Sequence, residues 1–356
     1  MSSSDSAADS GVFRCPETGS DLRPEADHLV TRDGGLRYPV RDGIPCFLSG
    51  EAIEDDETRR GLEKLNRIAS QQGWRQALNE VYGPDADIVK YVTDESRAGF
   101  LDLLELDGSK SVLEIGPGLG QFSWIVAKQA KHLYGVEVVE GQAHFAATRC
   151  RQEGVHNATF ACGGDDCRLP FQNESMDVVL LNLVFEWCST RNQEESAETG
   201  QQRLLAEMHR VLKPGGSLYL MTKNRFALRY LLGKPDEHSF GMRFGSALPR
   251  WLHRLALRIK GHARPAGLLH SHDALHAMLM DAGYSEARSF WAVPEMRYPT
   301  DYVPTDSKSI RSSRSREDFV QGDSRSTKAI MPWIPSCMVR HFTAGLTFVA
   351  RKGAGI

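Results

Sequence analysis

The chain has 356 residues, 41% of them hydrophobic and 25% charged, with a formal net charge of −3. That length exceeds one typical domain, and the composition is ordinary for a globular enzyme. The charge balance gives no general drive toward nucleic acid, so a nucleic-acid partner is not expected, and no stretch is apolar enough to span a bilayer. Met1 to Gly11 is rich in Ser, Asp and Ala and has no apolar signal core, so residues 1–12 read as a disordered, unsecreted tail. The seven cysteines are scattered and odd in number, which favours reduced thiols in a cytoplasm over a disulfide framework.

Residues 13–50 read as a small β module built on Leu29, Tyr38, Ile44 and Phe47. Cys15-Pro16, Tyr38-Pro39 and Asp42-Gly43-Ile44-Pro45 give it a resemblance to a zinc-ribbon-like module, related to the companion protein of some tRNA and rRNA methyltransferases. Three of that pattern's four ligand positions are here Thr18, Thr31 and Gly34. A structural zinc site needs four ligands, so the module is expected to be a degenerate ribbon without metal. The alternative is zinc held by Cys15, Cys46 and histidines. Residues 51–107 read as an acidic linker followed by helices over Arg59 to Tyr82 and Asp94 to Leu106, with Asp94 as N-cap.

The most informative stretch is Val112-Leu113-Glu114-Ile115-Gly116-Pro117-Gly118-Leu119-Gly120-Gln121. An apolar strand enters a glycine-rich turn, and a helix over Phe122 to Ala130 leaves it. Glycine lets a ligand approach the backbone closely. A dinucleotide fold uses the spacing G-x-G-x-x-G; the spacing here is G-x-G-x-G, and Glu114 stands two residues before the first glycine. A glutamate there would repel a pyrophosphate and suits an ammonium. A second strand, Leu133 to Val138, carries Glu137, at the place where an acid bonds a ribose diol in doubly wound folds. A third strand leads into Gly163-Gly164-Asp165-Asp166-Cys167-Arg168-Leu169-Pro170-Phe171. A fourth, Met176 to Leu183, is nearly all apolar, as a central parallel strand should be. An amphipathic helix from Gln202 to Leu212 stops at Lys213-Pro214-Gly215-Gly216, and a fifth strand follows over Ser217 to Thr222.

These motifs, in this order over residues 112–222, resemble class I S-adenosylmethionine (SAM)-dependent methyltransferases. The resemblance implies an α/β fold: a Rossmann-like, doubly wound, seven-stranded sheet, here over residues 108–356. It implies SAM as cofactor, bound by Glu114, Gly116, Gly118, Gly120, Glu137, Asp165, Asp166 and Asn182. Asp165 would accept from the adenine amino group, and the backbone N–H of Asp166 would face a ring nitrogen. Tyr91 and Arg97 are further candidate contacts from the preceding helices.

Two insertions, at about 223–270 and 294–336, leave from the carboxyl ends of strands. They are expected to wall or cover an acceptor site, where ligands bind in doubly wound sheets. Motifs in them, Asn224-Arg225-Phe226, Asp236-Glu237-His238 and Arg297-Tyr298-Pro299 among others, resemble methyltransferases linked to bacterial surface-polysaccharide assembly, which implies a sugar or glycan acceptor. Lys223, Arg225, Arg229, Arg243 and Arg250 are candidate anion contacts. His238 is the candidate base, with Glu186 as an alternative that would orient the acceptor. No metal is expected. Ser307 to Lys328 reads as a loop. Trp251 to Lys260 reads as an amphipathic helix that packs on the core, the alternative being a peripheral contact with a membrane. Oligomeric state is not legible. The leading expectation is an O-directed methyltransferase acting on a small polar or glycan acceptor. The alternatives are a natural-product or RNA methyltransferase and a SAM-binding partner without catalysis.

Overall fold

The computed structural model describes residues 10–50, 54–190, 195–316 and 325–355. The N-terminal part is an antiparallel meander of β1 (Leu22–Glu25), β2 (His28–Thr31), β3 (Arg37–Arg41) and β4 (Ile44–Pro45). Asp42 and Gly43, both at positive φ, make its last turn. Leu29, Tyr38, Ile44 and Phe47 are buried, and the Phe47 ring lies 4.9 Å from Tyr38 and 5.6 Å from Phe13. At the retained Cys15 and at the replaced positions Thr18 and Thr31 the side chains bond locally. The Cys15 thiol is 3.1 Å from the Tyr38 hydroxyl, Thr18 bonds Ser20, and Thr31 donates to Asp33. Of the expected tail, residues 1–9 lie outside the described residues; Ser10–Val12 form a short 3₁₀ turn with Val12 buried.

The helical segment is α1 (Asp56–Gln72), α2 (Trp74–Tyr82) and α3 (Asp87–Thr93). Where the sequence suggested one helix over Arg59 to Tyr82, Gly73 at φ 102° separates two. Asp94 caps a 3₁₀ run, Glu95–Leu103, rather than an α-helix. Arg97 in that run is buried. It donates to the carbonyls of Tyr91 and Arg297, and its guanidinium sits 3.4 Å from the Tyr91 ring centroid. Both residues are thereby committed to packing.

The sheet that follows contains β5 (Ser111–Ile115), β6 (His132–Glu137), β7 (Ala158–Cys162), β8 (Met176–Asn182) and β9 (Leu212–Lys223), all parallel. Helices α4 (Ser123–Gln129), α5 (Glu140–Gln152) and α6 (Ala197–Val211) connect them. The first insertion forms α7 (Leu228–Leu231), β10 (Pro235–Asp236), β11 (Met242–Arg243) and α8 (Arg250–Ile259). Then come α9 (His272–Asp281), β12 (Tyr284–Val293), β13 (Asp301–Pro304), α10 (Ser307–Ser313), α11 (Arg325–Ile330) and β14 (Gly345–Lys352). The order is β13-β12-β14-β9-β8-β5-β6-β7. β14 runs against its neighbours, so β12 shares the direction of β9.

The sheet has eight strands, not seven, because β13 in the second insertion pairs with β12 and extends the edge. That insertion is therefore structural. Val303 and Ile310 are buried with Trp291, Val293, Met331 and Val339 beside the sheet. The described part of Ser307 to Lys328 is helical rather than a loop, with Asp306 accepting from the N–H groups of Lys308 and Ser309 as a cap. At the other edge, the N-terminal module closes β7. Phe47 N–H donates to Cys162 O at 2.7 Å, and the Phe13 ring lies 5.4 Å from that of Phe171. Truncating Phe47 to alanine should destabilise the whole chain by about 3–5 kcal/mol. An unchanged urea midpoint for that variant would mean that the module does not share the sheet's core.

Candidate cofactor and acceptor site

Going outward from β5, the chain continues to β6 and β7 on one side and to β8 and β9 on the other. That reversal leaves a crevice at the carboxyl ends of the strands, the place where doubly wound sheets bind ligands. A cavity of about 1070 Å³ occupies it. Its walls include Gly116 and Gly118 after β5, Glu137 at the end of β6, Asp165 after β7, and Val184 and Trp187 after β8.

The three glycines of the turn all have positive φ, for different reasons. A Cβ on Gly116 would stand 2.7 Å from Val184 Cγ2, so this glycine lets the turn meet the segment after β8. A Cβ on Gly120 would stand 3.0 Å from the Ala146 backbone in α5, so this one serves helix packing. Gly118 is different. Its Cβ would meet nothing nearer than the Gln121 side chain at 3.5 Å, and it lines the cavity.

Glu137 is buried in the cavity wall. It accepts from Gly118 N–H at 2.9 Å and from Val139 N–H at 3.2 Å. Burial raises its pKa, and the backbone donors oppose that rise. Asp165 accepts from both the N–H and the hydroxyl of Ser49, so the end of the N-terminal module holds it. The structure thus brings Gly116, Gly118, Glu137 and Asp165 together at one cavity.

Four other expected cofactor residues stand outside the wall. Glu114 is buried and accepts from the Ser123 hydroxyl at 2.6 Å; burial, aided by the Glu137 charge, pushes its pKa up to about 7 against that hydrogen bond. Gly120 faces α5. Asp166 accepts from Arg168 N–H and its guanidinium. Asn182 is half-buried, with an Oδ1 that is enclosed and has no partner.

Neither of the two candidate catalytic residues, His238 and Glu186, lines the cavity; both are wholly buried. The His238 ring is 4.7 Å from the Trp187 ring and wholly buried. Its Nδ1 is 3.1 Å from Asp236 Oδ1, and its Nε2 has no partner. Asp236 also accepts from Ser239 and Ser246. Burial pushes its carboxyl up, but these donors together with His238 outweigh it and hold the pKa at about 2. Glu186 accepts from Thr222 at 2.7 Å through one oxygen, leaves the other without a partner, and is driven by burial toward its neutral form.

Of the five candidate anion contacts, four are occupied internally. Lys223 and Arg229 pair with Glu237, Arg225 donates to Ser246 O and Leu248 O, and Arg250 reaches Leu269 O. Arg243 is exposed. Among the described residues the cation in the cavity wall is Arg264, which donates to Glu195 O at 2.8 Å and which sequence reasoning missed; it lies in a stretch without periodicity, and only the return of the first insertion to the sheet places it there. The first insertion does wall the cavity, through Phe240 and residues 263–266, and the second contributes no lining residue among the described residues. Among the described residues, two groups bring ligand-type atoms within 4.8 Å of one another: Asp236, Glu237 and His238, and His272, Asp273 and His341. The carboxylates of the first are already saturated by donors, and Arg340 stands against His341 in the second.

Residues 113–220 match the methyltransferase domain family. The chain carries a class I methyltransferase domain. Over 127 residues it is 34% identical to the biotin biosynthesis bifunctional protein BioHC of Cellvibrio japonicus (strain Ueda107), covering 35% of this chain and 22% of that one. Over 144 residues it is 28% identical to a malonyl-[acyl-carrier protein] O-methyltransferase of Marinomonas sp. (strain MWYL1), covering 40% of this chain and 48% of that one. The chain thus spans less than half the length of either relative. A UPF0434 protein of Chelativorans sp. (strain BNC1) is 46% identical over 53 residues, which are 14% of this chain and 75% of that one. Over those 53 residues the chain belongs to the UPF0434 family.

The cofactor of the methyltransferase domain is SAM, and the cavity fits it. A cradle at Gly118 that a side chain would fill, beside a carboxylate at Glu137, suits a ligand with a ribose. Gly118→Val should abolish SAM binding in a chain that still melts cooperatively; intact affinity by calorimetry would refute the turn's role. Glu114 yields a pH prediction. Its folded pKa of about 7 lies above its ordinary value of 4.5, so the folded chain keeps a proton that the unfolded chain has lost. Stability therefore falls as pH rises from 4.5 through 7. Glu114→Gln should remove on the order of 3 kcal/mol of that fall, read as urea midpoints at pH 5 and pH 8. Parallel curves for variant and wild type would show that Glu114 is ionised throughout.

Proposed function

We propose that the chain is a SAM-dependent methyltransferase that methylates a hydroxyl of a sugar or other small polar acceptor. The observation that carries the reading is the single cavity that joins the Gly118–Glu137–Asp165 end to an aromatic wall of Trp187 and Phe240 from outside the sheet motifs. SAM supplies an electrophilic methyl on a sulfonium, and the chain's own task is to hold an oxygen in line and accept its proton. Glu137 would hold the ribose and Asp165 the adenine edge. Arg264, which donates to Glu195 O, lines the far end of the cavity and adds positive charge there. The resemblance of the first insertion to polysaccharide-associated methyltransferases supports a glycan acceptor, and the O-methyltransferase relative supports an oxygen nucleophile. All seven cysteines are free, in keeping with a reducing cytoplasm.

His238 takes the proton in this reading, in preference to Glu186. Asp236 occupies Nδ1 and fixes the ring, which leaves Nε2 as the acceptor. Glu186 holds the Thr222 hydroxyl through one oxygen and in this reading orients rather than accepts the proton. Trp187 is the group an acceptor must displace to reach it.

Titration calorimetry with SAM, S-adenosylhomocysteine and NAD tests the cofactor site: the two sulfur ligands should bind and NAD should not. Methyl transfer from labelled SAM to nucleotide sugars and lipid-linked glycans then tests the acceptor class. SAM binding without transfer to any acceptor would favour a non-catalytic partner. His238→Ala should lower kcat by about 10²–10⁴-fold and leave the SAM Kd unchanged; an unaltered kcat would remove His238 from the mechanism.

A further inference from the structure

The amphipathic helix α8 does not pack on the core as the sequence suggested. Only Leu257 among its ten residues is buried. Trp251, Leu255 and Ile259 are 69%, 49% and 78% exposed, and a spacing of four residues places them along one line of the helix. Such a row of large apolar side chains is costly in water unless something covers it.

Charge identifies what covers it. Arg254 and Arg258 are exposed and run beside the apolar row, displaced by one residue, and Lys260 follows at the helix end. None of the three has a carboxylate partner among the described residues. Between Glu237 and Asp273 the sequence holds six Arg and Lys residues and no Asp or Glu, in a chain whose net charge is −3. An apolar row flanked by unpaired cations suits a surface with acyl chains beneath anionic headgroups. A second copy of this helix would bring cations against cations.

We propose that α8 is an interfacial helix that docks the chain on an anionic lipid bilayer. Trp251, Leu255 and Ile259 enter the headgroup boundary, while Arg254, Arg258 and Lys260 meet the lipid phosphates. The helix leads straight into the cavity. The ring of His262, three residues beyond the helix, stacks on Phe240 at 3.7 Å, and both Phe240 and Ala263 line the cavity. Docking therefore brings the Phe240–Ala263 wall of the cavity toward the bilayer, from which an acceptor carried on a lipid would present its polar end. The docking itself does not depend on methyl transfer.

The test is co-sedimentation of the full chain with vesicles of phosphatidylcholine alone and with added phosphatidylglycerol. The chain should sediment with the anionic vesicles, remain in solution with the neutral ones, and be released as salt rises. Trp251→Glu with Ile259→Glu should abolish sedimentation. Arg254→Gln with Arg258→Gln keeps the apolar row and should weaken it about five-fold per arginine. Unchanged SAM affinity shows that each variant is folded, and that readout separates this test from the cofactor assignment. Absence of sedimentation with anionic vesicles would overturn the proposal. So would sedimentation that the glutamate variant retains, or a dimer in solution that the same variant dissociates.

Discussion

The site depends on one buried carboxylate. Glu137 closes β6 beneath the sheet surface, where an anion without donors would be expelled or protonated. It is retained because the turn after β5 offers it Gly118 N–H and its own turn offers Val139 N–H. Those two bonds tie neighbouring strand ends together and fix the floor of the cavity. The turn can present its N–H only by taking positive φ at Gly116, Gly118 and Gly120. Each of those positions would be blocked in a different direction by a side chain: toward Val184, toward the cavity or toward Ala146. Strand order, turn composition and acid placement are thus one constraint seen from three residues.

The edge strand is the second requirement. A parallel sheet ending in β7 would leave an open row of backbone groups. Residues 13–50 cover it, by Phe47 N–H on Cys162 O and by aromatic contact between Phe13 and Phe171. The cover reaches the cavity, since Ser49 holds the carboxylate of Asp165. The module's aromatic residues belong to the same apolar cluster as Leu113 and Val179 in the middle of the sheet. It behaves as an extension of the methyltransferase domain's core.

What the sequence shows and hides follows from range. The parallel strands were legible because each is a short apolar run, and the glycine turn because its backbone demands a residue type. The break at Gly73 was hidden because apolar spacing continues across it. The second insertion misled because its position after β12 suggested a lid, whereas Val303 and Ile310 bury themselves beside the sheet and make β13 an edge. Arg264 and the Ser49–Asp165 contact were not legible at all. Both join residues far apart in the chain, and no local pattern records such a meeting. The exposed face of α8 was equally hidden, since an amphipathic pattern does not say on which side the helix finds its neighbour.

The attachment of the N-terminal module has a kinetic side. A separate subunit of that size would have to find its edge strand at whatever concentration the cell supplied. Here module and strand share one chain, so their effective concentration does not depend on how much protein is present. The seam at Phe47 and Phe171 can then be small and still stay closed. Because Ser49 at the end of the module holds the Asp165 carboxylate, closing the seam and setting that end of the cavity are one intramolecular event.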